Sequence, residues 1–169
     1  TYGNRFLPRI SFYYKPAEHY SIRLAAGSGY KTPNLFELSE PSALLMPLPP
    51  NLSPETSNGI NADLNYHGLL GNEVGLQIDQ AFYYCRIDQP LVLQTTTSGT
   101  LLPVNAGHRI NSYGTDTYLR LTFDELELYL GYNHTLAQQD SGSTRSYVAF
   151  NPVDKFSSTI AYDVEGKWR

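Results

Sequence analysis

The residue types that most often carry catalysis or bind metals are present, but their spacing matches no catalytic arrangement. Serine is abundant, yet no Gly-x-Ser-x-Gly motif occurs, so the sequence offers no nucleophile elbow. The four histidines form no His-x-x-x-His pair, and the lone Cys85 falls on the polar side of an alternating segment. Asp124 and Glu125 suit a tight turn, where Asp is favoured by its backbone preferences. We therefore expect no enzyme activity, no metal site and no cofactor.

Composition and charge narrow the class of protein. The chain has 169 residues, of which 41% are apolar, 17% charged and 13% aromatic, and its formal net charge is −4. A disordered chain would be richer in charge and poorer in aromatic residues. An acidic chain also lacks the basic footprint of a nucleic-acid-binding protein, so we expect no nucleic-acid partner. No apolar run approaches the roughly 18–20 residues of a membrane-spanning helix, whereas alternating barrel strands are compatible with this composition.

Apolar residues recur at every second position in seven segments, which is typical of strands with one apolar and one polar face. Within residues 60–66, for example, apolar side chains alternate with Asn61, Asp63 and Asn65. Helical spacing is nearly absent. The sequence therefore predicts an all-β chain, folded as an antiparallel up-and-down meander of about seven strands.

The connections between the predicted strands alternate in length. Residues 16–19, 68–72 and 124–125 are short connections, whereas residues 31–56, 95–108 and 138–146 are long ones. In an up-and-down sheet this places every tight turn at one end, as in transmembrane barrels of bacterial outer membranes. A soluble sandwich with Greek-key crossings has no reason to keep this asymmetry. Aromatic residues near the strand ends fit the interfacial girdle of such a barrel: Tyr14, Tyr20, Tyr66, Phe123, Tyr132 and Tyr162.

The polar faces carry both signs of charge, which suits the interior of a wide barrel that holds water or a polar plug. The predicted lumen-facing residues are Arg23, Asp63, Asp79, Asp116, Arg120, Glu127 and Asp163. Counted back from the 124–125 turn, Arg120 faces Tyr129 and lies diagonal to Glu127, within reach of long side chains. Alternation alone fits a solvated sheet equally well, so a soluble β-sandwich that binds carbohydrate or another ligand is the alternative.

Four stretches, in order, resemble TonB-dependent outer-membrane receptors. Residues 29–38, GYKTPNLFEL, are similar to the family's sequence of Gly, aromatic, basic and small residues, Pro, then Leu and Glu-Leu. Residues 51–57, NLSPETS, are similar to its Asn-Leu-x-Pro-Glu-x-Ser, which opens the next strand. Residues 105–107 with Gly114, and residues 151–156, resemble the starts of two later strands.

The resemblance implies an internal part of the C-terminal half of a 22-stranded barrel in the bacterial outer membrane. Residues 1–169 would form a single barrel segment, without the plug domain and the remaining strands. The implied function is import of a scarce ligand, a ferric siderophore, cobalamin or a glycan, energised by the TonB complex acting on the plug. Expected partners are outer-membrane lipid, the plug, the TonB complex and the ligand. Two free sheet edges also predict that this piece pairs with itself.

Long loops of this family contribute to ligand capture, so the resemblance directs attention to the long connections. Six prolines lie within residues 33–54 and surround the apolar Met46. Arg109 follows the second long connection, and Arg145 and Tyr147 lie in and beside the third. The predicted ligand-contacting residues are therefore Met46, Arg109, Arg145 and Tyr147.

Overall fold

A computed structural model describes residues 4–33, 51–97, 99, 101–141, 144–148 and 152–163. Its strands are β1 (Arg9–Ala17), β2 (Tyr20–Lys31), β3 (Glu55–Leu70), β4 (Val74–Asp88), β5 (Leu91–Thr95), β6 (Leu101–Asn105), β7 (Arg109–Phe123), β8 (Leu126–Ser141), β9 (Thr144–Tyr147) and β10 (Asp154–Tyr162). None of the described segments is a helix with the length and hydropathy that a membrane span requires.

Seven of these strands form one antiparallel meander in the order β1-β2-β3-β4-β7-β8-β10. The short β9 pairs with the end of β8 that lies beyond the residues paired with β10. Strands β5 and β6 form a separate hairpin between β4 and β7. The predicted all-β meander of about seven strands is therefore confirmed.

Tight turns gather at one end of the sheet. They span residues 18–19, 71–73 and 124–125 and join β1 to β2, β3 to β4 and β7 to β8. Gly71 and Asp124 adopt left-handed conformations there, with φ of 68° and 53°, which both residue types tolerate in turns. The connections from β2 to β3 and from β4 to β7 lie at the opposite end, here called the long-loop end.

One predicted long loop is wrong. Residues 138–146 belong largely to strands, because β8 continues to Ser141 and β9 begins at Thr144. The apolar-polar alternation stops at Leu136, and from Gln138 onward β8 is polar on both faces. Period-two alternation cannot detect a strand that leaves the apolar region. The same limit hid the β5–β6 hairpin within the second long connection.

The register puts nearly all large apolar side chains on one side of the sheet, called the apolar face. Leu24 opposes Ala62, which in turn opposes Phe82, and equivalent rows cross the sheet above and below. No described side chain is fully buried, and Ile10, Ile60 and Ile160 are 60–73% exposed. The surface area is 12169 Å², against about 8,400 Å² for a folded monomer of this mass. The sheet therefore does not bury its apolar face against itself.

The first two tight turns are staggered along the sheet. Tyr20 pairs with Tyr66 beside the first turn, whereas β3 continues to Leu70 before the next turn. Strand tilt in a barrel produces this stagger. Most of the predicted girdle follows the line of turns on the apolar face, and the rings of Tyr20 and Tyr66 lie 4.9 Å apart. The girdle residues nearest the turns are Tyr14, Tyr20, Tyr66, Phe123 and Tyr162, whereas Tyr132 lies well inside β8, away from either end.

The apolar face ends along one row of paired residues. The last apolar row contains Ala26, Ile60, Tyr84, Tyr113 and Leu136, and the next row on the same face contains Ser28, Asn58, Arg86, Asn111 and Gln138. On β4 the apolar stretch runs from Val74 to Tyr84, about 33 Å of strand. Tilted by about 40°, that length spans about 25 Å, the height of the apolar band of outer-membrane barrels.

Candidate functional site: the polar face and the long-loop end

The side of the sheet opposite the apolar face is lined by charged and amide side chains and is called the polar face. Six of the seven residues predicted to face the lumen have side chains there by the strand register, and Asp163 follows β10 with the same alternation. The six are Arg23, Asp63, Asp79, Asp116, Arg120 and Glu127. Their common face agrees with the prediction, while their position in a lumen stays a prediction.

Hydrogen bonds connect the polar face across neighbouring strands. Arg23 Nε donates to Asp63 Oδ2 at 2.8 Å, and Asn61 donates to the same oxygen at 3.0 Å. Asp79 accepts from Asn65 and from Gln77, both at 2.7 Å. Each carboxylate therefore has nearby donors that offset its desolvation. The result is a pre-organised polar wall.

A second cluster lies near the tight turns. Arg120 Nη2 donates to Glu127 Oε1 at 2.5 Å, which confirms the diagonal pair predicted from the turn. Tyr129 donates its hydroxyl to the other Glu127 oxygen, and its ring lies 5.5 Å from the Arg120 guanidinium carbon. Tyr118 packs beside Tyr129 with ring centroids 6.1 Å apart. The cluster joins β7 to β8 on the polar face.

The centre of the polar face contains a shallow, acidic depression. Its lining includes Asp63, Asn65, Asp79, Asp116, Tyr118 and Ser157. Carboxylates on three neighbouring strands give it negative potential, which favours cationic or hydrogen-bond-donating groups. No group of three or more His, Cys, Asp or Glu side chains in the described ranges is arranged to hold a metal ion. The depression is suited to contact with another polar protein surface or a hydrophilic solute.

Side chains from three of the family-like stretches meet at the long-loop end. Asn105 accepts from Ser53 N at 2.7 Å and donates to Ser53 O at 2.8 Å, so its amide clamps the strand that leads into β3. Glu55 accepts from Leu91 N at 2.5 Å and lies 3.9 Å from Lys31 Nζ. The Asn105 and Leu91 contacts attach the β5–β6 hairpin to the start of β3, and Lys31 joins the end of β2 to the same Glu55.

The long-loop end also holds the only buried residues in the described part of the chain. All four are prolines: Pro33 and Pro54 lie in the β2–β3 connection, Pro90 lies between β4 and β5, and Pro103 lies in β6. Proline loses little conformational entropy on burial because its φ angle is already fixed. Together with the Asn105 clamp, they hold the described segments of this end against one another.

Three of the four predicted ligand-contacting residues fall on the apolar side of the sheet, beyond its last apolar row. Arg109 Nε lies 2.9 Å from Asp88 Oδ1, and Arg145 Nε lies 2.9 Å from Asp140 Oδ1. Tyr147 pairs with Gln138 in the row next to these residues. Met46 lies outside the described residues. A ligand role for all four stays a prediction.

Asp88 is the centre of the ion pairs beyond the last apolar row. Arg86 donates to both of its carboxylate oxygens, at 2.8–3.1 Å, while Arg109 approaches from β7. The hydrogen bonds from Arg86 hold the pKa of Asp88 below its ordinary value, and the charges of Arg86 and Arg109 act in the same direction. Asp88 is therefore held as an anion between two cations.

A further group was not anticipated from the sequence. Asp154, in the fourth family-like stretch, accepts from the Tyr132 hydroxyl at 2.7 Å and lies 2.7 Å from His134 Nδ1. All three side chains point to the apolar side of the sheet. His134 lies one row before Leu136 of the last apolar row, so this polar group interrupts the apolar face between β8 and β10. Only the register could have revealed this group, since His134 and Asp154 are twenty residues apart.

One apolar and one polar face on a single open, tilted sheet, with tight turns at one end, define the wall of a membrane β-barrel. The sequence matches the profile of the family described as "TonB dependent receptor-like, beta-barrel" over residues 1–169. The chain therefore belongs to this family of outer-membrane receptor barrels.

Among solved structures, the chain is similar to the FrpB iron transporter from Neisseria meningitidis (F3-3 variant). The TM-score is 0.69 at 15% sequence identity, and the match covers 95% of this chain and 25% of that one. The chain thus spans about a quarter of the length of this transporter. At this identity the likeness shows a shared fold. No curated protein matches the chain.

Proposed function

We propose that this chain is part of the barrel wall of a bacterial outer-membrane receptor that imports a scarce ligand with energy from the TonB complex. The observation that carries the proposal is the single sheet with exposed apolar side chains on one face and a hydrogen-bonded polar network on the other. That division, in a chain matched over its whole length by the receptor family, fits lipid on one side and water or protein on the other.

The proposed cargo is a ferric siderophore, cobalamin or a glycan. The solved relative FrpB is called an iron transporter, which supports testing ferric cargo first. The cargo would contact the long-loop end, where Asn105 and Glu55 attach the β5–β6 hairpin to β3. A pre-ordered contact surface loses less entropy on binding than a mobile loop does.

The polar face would contact the plug domain of the complete receptor. Its acidic depression and the Arg120–Glu127–Tyr129 cluster offer charged and hydrogen-bonding groups spread over several strands. A plug must be held and then released, and polar contacts of moderate strength suit that cycle better than a dry apolar interface. In this proposal the chain has a transport role and no catalytic one.

The alternative of a soluble β-sandwich is not favoured. It requires apolar side chains such as Ile60, Leu76 and Leu128 to pack inside a closed core. Instead, Ile60 is 60% exposed, and none of the described side chains is fully buried. An exposed apolar sheet face of this size on a soluble monomer would promote association.

Growth complementation tests the proposed function in the full-length receptor. A strain deleted for the receptor would be supplied with ferric siderophores, cobalamin or glycans as the sole limiting source. We expect the intact receptor to restore growth on one of these sources, and only when TonB is present. Replacing residues 91–105 with a short Gly-Ser linker should reduce uptake at least tenfold while the barrel still assembles.

The matched control alters the opposite end of the sheet. Asn72→Ala, in the tight turn between β3 and β4, should leave uptake unchanged. Restored growth that does not depend on TonB would contradict the proposal, and so would full uptake by the linker variant. Resistance of the folded receptor to SDS at room temperature reports assembly separately from uptake.

A further inference from the structure

Five charged residues form a patch beyond the last apolar row of the apolar face, here called the charged rim. Its members are Arg86, Asp88, Arg109, Asp140 and Arg145. They lie on the ends of β4, β7 and β8 and on β9, so the rim crosses four neighbouring strands. Three cations and two anions give it a net charge of +1, although the chain as a whole carries −4.

The two carboxylates of the rim are already occupied by donors. Asp88 interacts with both Arg86 and Arg109, and Asp140 accepts from Arg145 and from Asn111, at 2.9 Å and 3.1 Å. Arg109 and Arg145 use Nε for these contacts, and no other partner for either guanidinium occurs among the described residues. Their side chains are 59% and 69% exposed. Each therefore presents its terminal Nη donors to the surroundings.

The position of the rim determines what those donors can meet. Arg109 and Arg145 share a face with Tyr113 and Leu136, which belong to the last apolar row. If that face contacts lipid, as the proposed function states, the rim lies at the level of the lipid headgroups. The cargo path on the opposite face is out of reach of these side chains.

The chemistry of the rim favours phosphate. Guanidinium groups bind phosphate oxygens through paired, charge-assisted hydrogen bonds. Arg109 and Arg145 lie on either side of β8, about 10 Å apart at two strand spacings, so they can contact two separate phosphates. Beside them, Tyr147 is 64% exposed, and Gln138 adds an amide group. Exposed tyrosine and amide side chains suit sugar hydroxyls.

We propose that the charged rim binds the phosphorylated sugar headgroup of a glycolipid in the leaflet at the long-loop end. Arg109 and Arg145 contact the phosphates, while Arg86 and Asp88 hold Arg109 in place. The inference rests on the proposed membrane location of the apolar face. It assigns to Arg109 and Arg145 a lipid partner instead of the transported ligand.

Native mass spectrometry of the full-length receptor in detergent tests this proposal. The probes are a diphosphorylated glucosamine-based lipid, its dephosphorylated form, and phosphatidylglycerol. We expect the receptor to retain the diphosphorylated glycolipid at least tenfold more tightly than either of the others. The double variant Arg109→Gln/Arg145→Gln should lose that tenfold preference.

The control removes the same charge from the opposite face. Arg9→Gln/Lys155→Gln changes two exposed cations of the polar face and should leave glycolipid affinity unchanged. Equal affinity for the dephosphorylated lipid, equal affinity for phosphatidylglycerol, or unchanged binding by the Arg109/Arg145 variant would each overturn the proposal. A receptor that binds the glycolipid but fails to import any cargo would refute the proposed transport and leave this inference standing.

Discussion

At the scale of single residues, the face on which a side chain lies decides its environment. Alternation predicted that Arg120 and Glu127 share a face, and their contact at 2.5 Å confirms the predicted pairing. The orientation of Arg109 and Arg145 was not predictable in the same way. Beyond the last apolar row the apolar residues Ile87 and Ile110 lie on the face opposite Arg109, so alternation no longer marks the apolar side, and only the strand register assigns Arg109 and Arg145 to it.

Because one face of β8 is apolar and the other polar, the same side chain should destabilise the barrel much more on the first face than on the second. Leu130→Arg puts a cation near the middle of the apolar stretch and should cost about 2–4 kcal/mol of folding free energy in a lipid or detergent environment. Asn133→Arg places the same side chain on the polar face and should cost less than about 1 kcal/mol.

Urea unfolding of the full-length receptor in detergent micelles or lipid vesicles measures both effects. Equal destabilisation by the two substitutions would show that β8 does not have one lipid-facing and one polar side.

At the scale of elements, the seven-strand meander was predictable because each strand crosses an apolar region and alternates within it. The β5–β6 hairpin and β9 lie outside that region, and their short sequences carry no sustained alternation. The clamp between Asn105 and Ser53 joins residues 52 positions apart. The sequence showed that residues 51–57 and 105–107 both resemble the receptor family, but only the structure shows that they are in contact.

Close packing between β4, β7 and β8 depends on Gly114. The Tyr83 ring crosses this glycine, and its hydroxyl hydrogen-bonds with Thr135 on β8. A Cβ at Gly114 would collide with His134 O and with the Tyr83 ring, whereas a Cβ at Gly75 would lie an ordinary 3.4 Å from Thr122 Cβ.

Gly114→Ala should therefore destabilise the barrel by about 1–3 kcal/mol, as overpacking does elsewhere. Gly75→Ala, in the same sheet, should change stability by less than about 0.5 kcal/mol. Thermal or urea unfolding of the receptor compares the two variants, and the close-packing account fails if Gly114→Ala unfolds at the same midpoint as Gly75→Ala.

At the scale of the whole molecule, the sheet behaves as a wall and not as half of a closed core. The surface area of the chain is nearly half again that of a folded monomer of equal mass, and no described segment forms a second layer over either face of the sheet. The strands β1 and β10 form the edges of the described sheet. Pairing of these edges with another copy stays a prediction, and in a complete barrel the neighbouring strands would occupy them.

The central claim is that lipid lies against the apolar side of β4, and spin labels on both sides of this strand test it most directly. Nitroxide labels would be placed singly on the full-length receptor in lipid bilayers, with Cys85 replaced by Ser. We predict high collision rates with oxygen and low rates with a water-soluble nickel complex at residues 76, 78 and 82, and oxygen collision rates that fall at residues 77, 79 and 81. Equal oxygen accessibility at all six positions, or nickel accessibility at residues 76, 78 and 82, would contradict a lipid-facing apolar side.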